Sequence, residues 1–357
     1  MDRIQTIKQT MAQTKTDALL VTDPSSIFYL TGQWIHPGER LLVLLLRQNQ
    51  GDCLLINELF PLSADLGVPK VWFKDTEDSV KLLSTYLREG ETVAVDGNWP
   101  SEFLLRLMSL KDCRYISGSA IINRSRSRKD QREQAAMRSA SLINDEAMAR
   151  LRGRFYTGIT ELEAADLLKG IYHDLGADGF SFPPIIAFGK NAADPHHMPD
   201  HTQLQVGDSI ICDIGCTLNS YAADMTRTFF WQTCPDEAKV VYATVREANQ
   251  RAEALIKPGV KFSDLDKAAR DHITRVGYGE FFTHRLGHSI GIDVHEPGDV
   301  SAVNDSLLEE GMVFSIEPGI YLTDRFGVRI EDLVLVTETG CEVLNSYPKD
   351  LLILEGD

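Results

Sequence analysis

The stretch Ser209-Ile-Ile-Cys-Asp-Ile-Gly-Cys-Thr-Leu-Asn-Ser-Tyr-Ala-Ala-Asp-Met-Thr-Arg-Thr228 sets two aspartates, Asp213 and Asp224, into apolar, strand-like sequence. Acidic residues are depleted in such strands, and an unpaired carboxylate removed from water is costly. The anomaly recurs downstream. Glu317 ends the run Met312-Val-Phe-Ser-Ile-Glu317, Glu331 ends Gly327-Val-Arg-Ile-Glu331, and a histidine, His288, sits in Leu286-Gly-His-Ser289. Four carboxylates and one imidazole directed into one core need compensating charge, and a pair of divalent metal ions is the natural candidate. An oxygen-rich set with one nitrogen and no thiolate suits Mn, Co, Fe or Zn better than a structural zinc site. The polar link Thr217-Leu-Asn-Ser220 permits a hairpin that would bring Asp213 and Asp224 to one end. Taken singly, each acid reads as a solvated strand end; taken together and in this order, they read as a metal centre.

At 357 residues the chain is long enough for two domains with their own cores, and 43% hydrophobic with 25% charged residues is ordinary globular composition. A formal charge of −16 argues against nucleic-acid binding, which wants a basic footprint. The basic run Arg124-Ser-Arg-Ser-Arg-Lys129 is the exception and reads as an interdomain connector. The longest aliphatic run, Leu41–Leu46, is too short to span a bilayer, and the first residues read as an amphipathic helix rather than a secretory signal. Six scattered cysteines without a disulfide framework fit a reducing cytoplasm. Cys212 and Cys216 flank Asp213, but no second cysteine pair complements them, so they read as small buried strand residues.

The chain is expected to divide into residues 1–123 and 124–357. The first part alternates strand candidates (Ala18–Val21, Leu41–Leu46, Cys53–Ile56, Lys70–Phe73, Thr92–Val95) with helix candidates (Ser79–Arg88, Ser101–Leu110), which predicts a three-layer α/β domain. The second part opens with a long helix over about Asp130–Leu151. Thr160 and Glu163 form a capping box for the next helix. Pro235 starts another that Lys257-Pro-Gly259 stops, and Ser263–Val276 is a further helix.

The order and surroundings of the acidic strands carry a specific likeness. The stretches are Pro24-Ser-Ser-Ile-Phe-Tyr-Leu-Thr-Gly32, Ala193-Asp-Pro-His196, Asp213 with Asp224-Met-Thr-Arg-Thr228, and His284-Arg-Leu-Gly-His288. Val294-His-Glu296, Ser315-Ile-Glu-Pro-Gly-Ile-Tyr321 and Gly327-Val-Arg-Ile-Glu-Asp332 complete the series. In these motifs the chain resembles the creatinase/prolidase/aminopeptidase P family of pita-bread metallopeptidases over nearly its whole length. The resemblance implies an α+β protein: a C-terminal pita-bread domain, with a curved antiparallel sheet backed by helices in two pseudo-symmetric halves, behind a smaller N-terminal α/β domain. It implies that Asp213 and Asp224 bind one metal, that His288 and Glu317 join Asp224 at a second, and that Glu331 bridges both. The activity implied is hydrolysis of Xaa-Pro dipeptides by a metal-bridging hydroxide, with Glu317 as general base. The two ions are expected to be manganese, with cobalt or zinc as alternatives. By the same resemblance His196 and His295 face the substrate and His284 lines the proline subsite. His197 and His201 lie beside His196 and are able to take its place. Arg329, two residues before Glu331, lies on the same strand face and reads as an ion-pair partner orienting a ligand. Arg227 reads equally well as such a partner or as a surface residue.

The match departs from the family at Pro195-His-His197 and Gly287-His-Ser289, where glycine usually follows the histidine. Prolidases often place an arginine between the Val-His motif and the first glutamate ligand, whereas Pro297–Gly311 contains no Lys, Arg or His. A homodimer is expected, with the loop Gln33-Trp-Ile-His-Pro-Gly-Glu-Arg40 capping the partner's site: Trp34 closing it, His36 or Arg40 binding the substrate carboxylate. The rival activities are an aminopeptidase P acting on longer Xaa-Pro peptides and a non-catalytic peptide-binding module on the same fold. Methionine aminopeptidases generally lack the N-terminal domain, and creatinase works without metal and lacks the full ligand set.

Overall fold

The aliphatic run Leu41–Leu46 feeds the strand Val43–Arg47 in a computed structural model that describes residues 3–49 and 51–356. Alternate residues of a strand point to opposite faces, and here both faces are covered. Leu42, Leu44 and Leu46 pack with Ile7, Met11 and Ile121 on one side. Leu41, Val43 and Leu45 pack with Val80, Leu83 and Leu107 on the other. A run that is apolar at every position is therefore a central strand of a three-layer unit. Its mixed six-stranded sheet runs Lys70–Phe73, Cys53–Asn57, Val43–Arg47, Ala18–Val21, Thr92–Val95, Arg114–Ser117.

The chain forms two compact units, Met1–Arg126 and Ser127–Asp357. In the second, the helices Gln131–Arg152 and Glu161–Leu175 share a core with the strands Ile185–Phe188, Ser209–Ile214 and Met225–Trp231. The helices Asp236–Glu253 and Phe262–Arg275 share another with Val313–Ile316, Gly319–Leu322 and Asp332–Val336. Each half is thus a helix pair backing antiparallel strands, the pita-bread arrangement. The Thr160–Glu163 capping box is present, and Asp130 with Glu133 forms a second one at the start of Gln131–Arg152. Among the described residues no helix is long and apolar enough to cross a membrane.

One helix differs from the sequence reading. The helix expected to reach Arg88 stops at Ser84, because Thr85, Tyr86 and Leu87 each donate to a carbonyl three residues back, tightening the last turn. The basic run 124–129 contains the boundary between the two units, and its side chains are engaged there. The helix Ser119–Arg126 runs into it, and Arg126 is buried with its guanidinium on Ser26 and Asp23. Lys129 is buried against Glu296 at 3.0 Å.

Candidate metal centre

Asp213 is the penultimate residue of Ser209–Ile214, which pairs antiparallel with Met225–Trp231 in the register Asp213↔Thr226. Between them Cys216–Leu218 pairs with Tyr221–Ala222 around Asn219 and Ser220, whose φ values are +50° and +69°. Two successive left-handed residues match the right-handed twist of a tight hairpin, and this turn returns Asp224 to the end of the sheet where Asp213 lies. Gly287–Ser289 carries His288, with Ser289 paired to Phe314 of Val313–Ile316. Glu317 follows that strand, and its N–H donates to the Leu286 carbonyl at 2.8 Å.

Asp213, Asp224, His288, Glu317 and Glu331 line one cavity of about 550 Å3, together with His196, His284, His295 and Arg329. Asp224, His288 and Glu331 place one potential ligand atom each within 4.8 Å of one another. His288 Nδ1 contacts the Ser289 carbonyl at 3.2 Å, which assigns its proton there. Its Nε2 is left facing Asp224 Oδ2 at 3.6 Å and Glu317 Oε1 at 3.5 Å. Buried Asp213 Oδ1, Asp224 Oδ1 and Glu331 Oε1 have no hydrogen-bond partner among the described residues. Buried polar atoms are normally satisfied. Three orphaned carboxylate oxygens beside an imidazole lone pair are what a set of divalent-cation ligands looks like. Among the described residues a second group, Glu161, His197 and Asp200, also has metal-ligand spacing.

The electrostatics agree. Burial, followed by repulsion from Glu331, Asp213 and Glu317, raises Asp224 well above the usual carboxylate range. Burial and then the charges of Glu317 and Asp213 do the same to Glu331. Glu317 is pushed up to about 7 by burial, against the pull of Arg329. Burial lowers His288 to about 3, so its ring is neutral at any ordinary pH.

Around the acids, Arg329 Nη2 donates to Asp213 Oδ2 at 2.7 Å while Nη1 donates to Tyr321 Oη at 2.8 Å. Thr226 Oγ1 donates to Glu331 Oε2 at 2.8 Å. His284 lies against Tyr321 Oη at 2.9 Å, and burial lowers it to about 4. The His295 ring stands edge-on to His288 with centroids 4.2 Å apart. Arg227 is a core residue rather than a surface one: its guanidinium donates to the Glu331 carbonyl at 2.6 Å and to Asp332 Oδ1 at 2.7 Å. Asp332 Oδ2 also meets Lys349 at 2.7 Å. In the N-terminal unit Trp34 stacks between Phe28 and His36. Arg40 Nε and Nη2 are both taken by Asp75 at 2.8 Å.

Thr226, Tyr321 and Ser315 were not assigned a role from sequence. Thr226 follows Asp224 by two and therefore shares its strand face, and Tyr321 closes the Glu-Pro-Gly-Ile-Tyr motif; those were the available signals. Ser315 Oγ bridges the His288 N–H at 3.0 Å and Glu317 Oε1 at 3.1 Å.

Fold and site together define a metallopeptidase. Residues 135–338 match metallopeptidase family M24 and residues 3–128 match the creatinase/prolidase N-terminal domain. An uncharacterized peptidase of Staphylococcus epidermidis is 35% identical over 356 residues, covering 98% of this chain and 100% of the relative. The crystal structure of a dipeptidase from Pyrococcus horikoshii OT3 superposes with a TM-score of 0.92 at 31% identity over 99% of this chain and 100% of that one. A prolidase from Thermococcus sibiricus gives 0.92 at 33% identity over 99% and 98%. The chain belongs to metallopeptidase family M24.

Proposed function

We propose that this chain is a dinuclear Xaa-Pro dipeptidase. The observation that carries the reading is one pocket that gathers three unpartnered buried carboxylate oxygens, of Asp213, Asp224 and Glu331, with His288, whose Nε2 faces Asp224 Oδ2 and Glu317 Oε1; the similarity to a dipeptidase and a prolidase supports the substrate class. Asp213, Asp224, His288, Glu317 and Glu331 would hold two divalent cations, manganese by preference. When bound, such ions supply the positive charge that acidifies water and polarises a peptide carbonyl.

The chain's own groups do the rest. Glu317 takes the proton released from water, a role suited to a carboxyl near neutrality. His295 and His196 stand where charge develops on the carbonyl oxygen or the departing proline nitrogen. His284, neutral and pinned to Tyr321, lines the side that receives the proline ring. Arg329 orients Asp213 through its hydrogen bond to Oδ2. The protein works as a cytoplasmic homodimer in this reading, consistent with six free thiols. The loop bearing Trp34, His36 and Arg40 covers a partner's site, and Arg40 must leave Asp75 to bind a carboxylate there.

The test is hydrolysis of Ala-Pro, Ala-Pro-Ala and Ala-Ala by manganese-loaded protein, with metal content measured alongside. Two ions per chain and a clear preference for Ala-Pro are expected. Faster cleavage of Ala-Pro-Ala would make the chain an aminopeptidase P, and no metal with no cleavage would make it a binding module.

A further inference from the structure

The adjacent histidines His196 and His197 have different surroundings. His196 lines the cavity of the metal centre. His197 Nε2 meets Glu161 Oε2 at 2.6 Å, so it is the donor to a carboxylate. Glu161 opens the helix Glu161–Leu175 and its side chain is fully buried. Oε1 accepts from the Phe188 N–H at 2.8 Å and Asn191 Nδ2 at 3.0 Å; Oε2 accepts from His197 and from the Asp200 N–H at 3.0 Å. All four donors belong to the segment from the end of Ile185–Phe188 to Asp200.

That segment is the pocket wall. Pro195, His196 and Met198 line the cavity, yet the chain from Asp194 to Asp208 contains no helix or strand of its own. Its backbone bonds to residues 159–162, around the Thr160–Gln203 bridge, hold only its part from Asp200 onward; nearer the cavity a side chain must collect the donors. Glu161 does so from outside the site. The trio Glu161, His197 and Asp200 has metal-ligand spacing, but both Glu161 oxygens already accept two hydrogen bonds, which leaves no lone pair aimed at a cation.

We propose that Glu161 and His197 are positioning residues: their buried hydrogen bond clamps residues 189–200 as a wall of the pocket and thereby sets where His196 stands. The inference rests on the reading of His196 as a substrate-facing group. It separates two neighbouring histidines into one that meets substrate and one that never does.

The experiment compares wild type, His197→Leu, His197→Gln, His196→Ala and the His196→Ala/His197→Leu double variant. Each is read by kcat/KM on Ala-Pro with manganese and by amide hydrogen exchange over residues 189–200. His197→Leu should lower kcat/KM between about 10- and 100-fold, as a displaced catalytic group does. It should also speed exchange in the segment with metal content unchanged. His197→Gln keeps a donor and should recover most of the rate. In the His196→Ala background the leucine change should cost less than about 2-fold, because the group it positions is gone. An undiminished effect in that background, or unaltered exchange, overturns the clamp. So does loss of one bound ion per chain, which would make the trio a metal site. If His197→Leu does not fold, His197→Asn, too short to reach Oε2, is read in its place. If wild type does not cleave Ala-Pro, the dipeptidase reading falls, and the exchange comparison still decides the clamp.

Discussion

Arg329 and Asp213 form a buried ion pair at 2.7 Å across 116 residues of sequence, and the same guanidinium holds Tyr321 Oη and Thr226 Oγ1. One planar fork thus fixes a carboxylate that lines the pocket, the tyrosine behind His284, and the threonine that touches Glu331. Lysine offers a point charge without that fork. Arg329→Lys should keep the fold but weaken metal binding by about 10- to 100-fold, measured by titrating manganese into chelated protein. Wild-type affinity in the variant would show that Asp213 needs no orientation.

The acidic cluster makes a signed prediction for metal-free protein. Carboxyls whose folded pKa is raised stabilise the fold at low pH and lose that contribution as pH climbs through the folded value. Buried His284 and His288 are lowered, so their destabilising effect appears only below their ordinary value of 6.5. From pH 6.5 upward the raised acids act, with Glu317 near 7 and Asp224 and Glu331 well above the usual range; outside the cluster Glu253, raised to about 7, and the buried thiols of Cys53, Cys212 and Cys216 add to the same trend. Calorimetry in chelator should therefore show Tm falling between pH 6.5 and about 9, and excess manganese should make the fall shallower by removing the part that Glu317, Asp224 and Glu331 contribute. A fall of the same steepness with and without manganese would mean these acids do not share one buried site.

His295→Ala should cut kcat by about 100-fold or more while leaving bound metal unchanged, since the ring stands beside His288 without joining the acids. Metal analysis and steady-state kinetics on the same preparation check this. A loss of metal would make His295 a ligand.

Gly287 has no room for a side chain: a Cβ there would fall 2.0 Å from the Ser315 carbonyl oxygen. Gly287→Ala must push apart the strands that carry His288 and lead to Glu317. An overpacked core costs about 1–3 kcal/mol, so the variant should unfold at lower temperature and bind manganese more weakly. Unchanged metal affinity would show the two strands to be less tightly coupled than the contact implies.

Much of this was legible in the chain itself. An Asp or Glu at the end of an apolar run is a local contradiction, and a contradiction of that kind marks a site. Leu41–Leu46 announced a strand, and Thr160 with Glu163 announced a helix start, because both are short-range effects. Arg227 was ambiguous because a basic residue in Met225–Trp231 reads equally as surface or core until Asp332, 105 positions away, is placed beside it. His197 was hidden for the same reason. Its partner Glu161 lies 36 residues upstream in a capping sequence that already had a sufficient local explanation.

The pairing of Lys349 and Arg227 with Asp332 also bears on the order of folding. Asp332 is fully buried and follows Glu331 directly, so its charge must be neutralised before that corner can close. Arg227 lies 105 residues away along the chain, and long-range closures are entropically late events. A folding intermediate in which Met225–Trp231 has not yet docked holds Asp332 without the counter-charge that seals it, so the acidic corner closes among the last steps on the way to the native state.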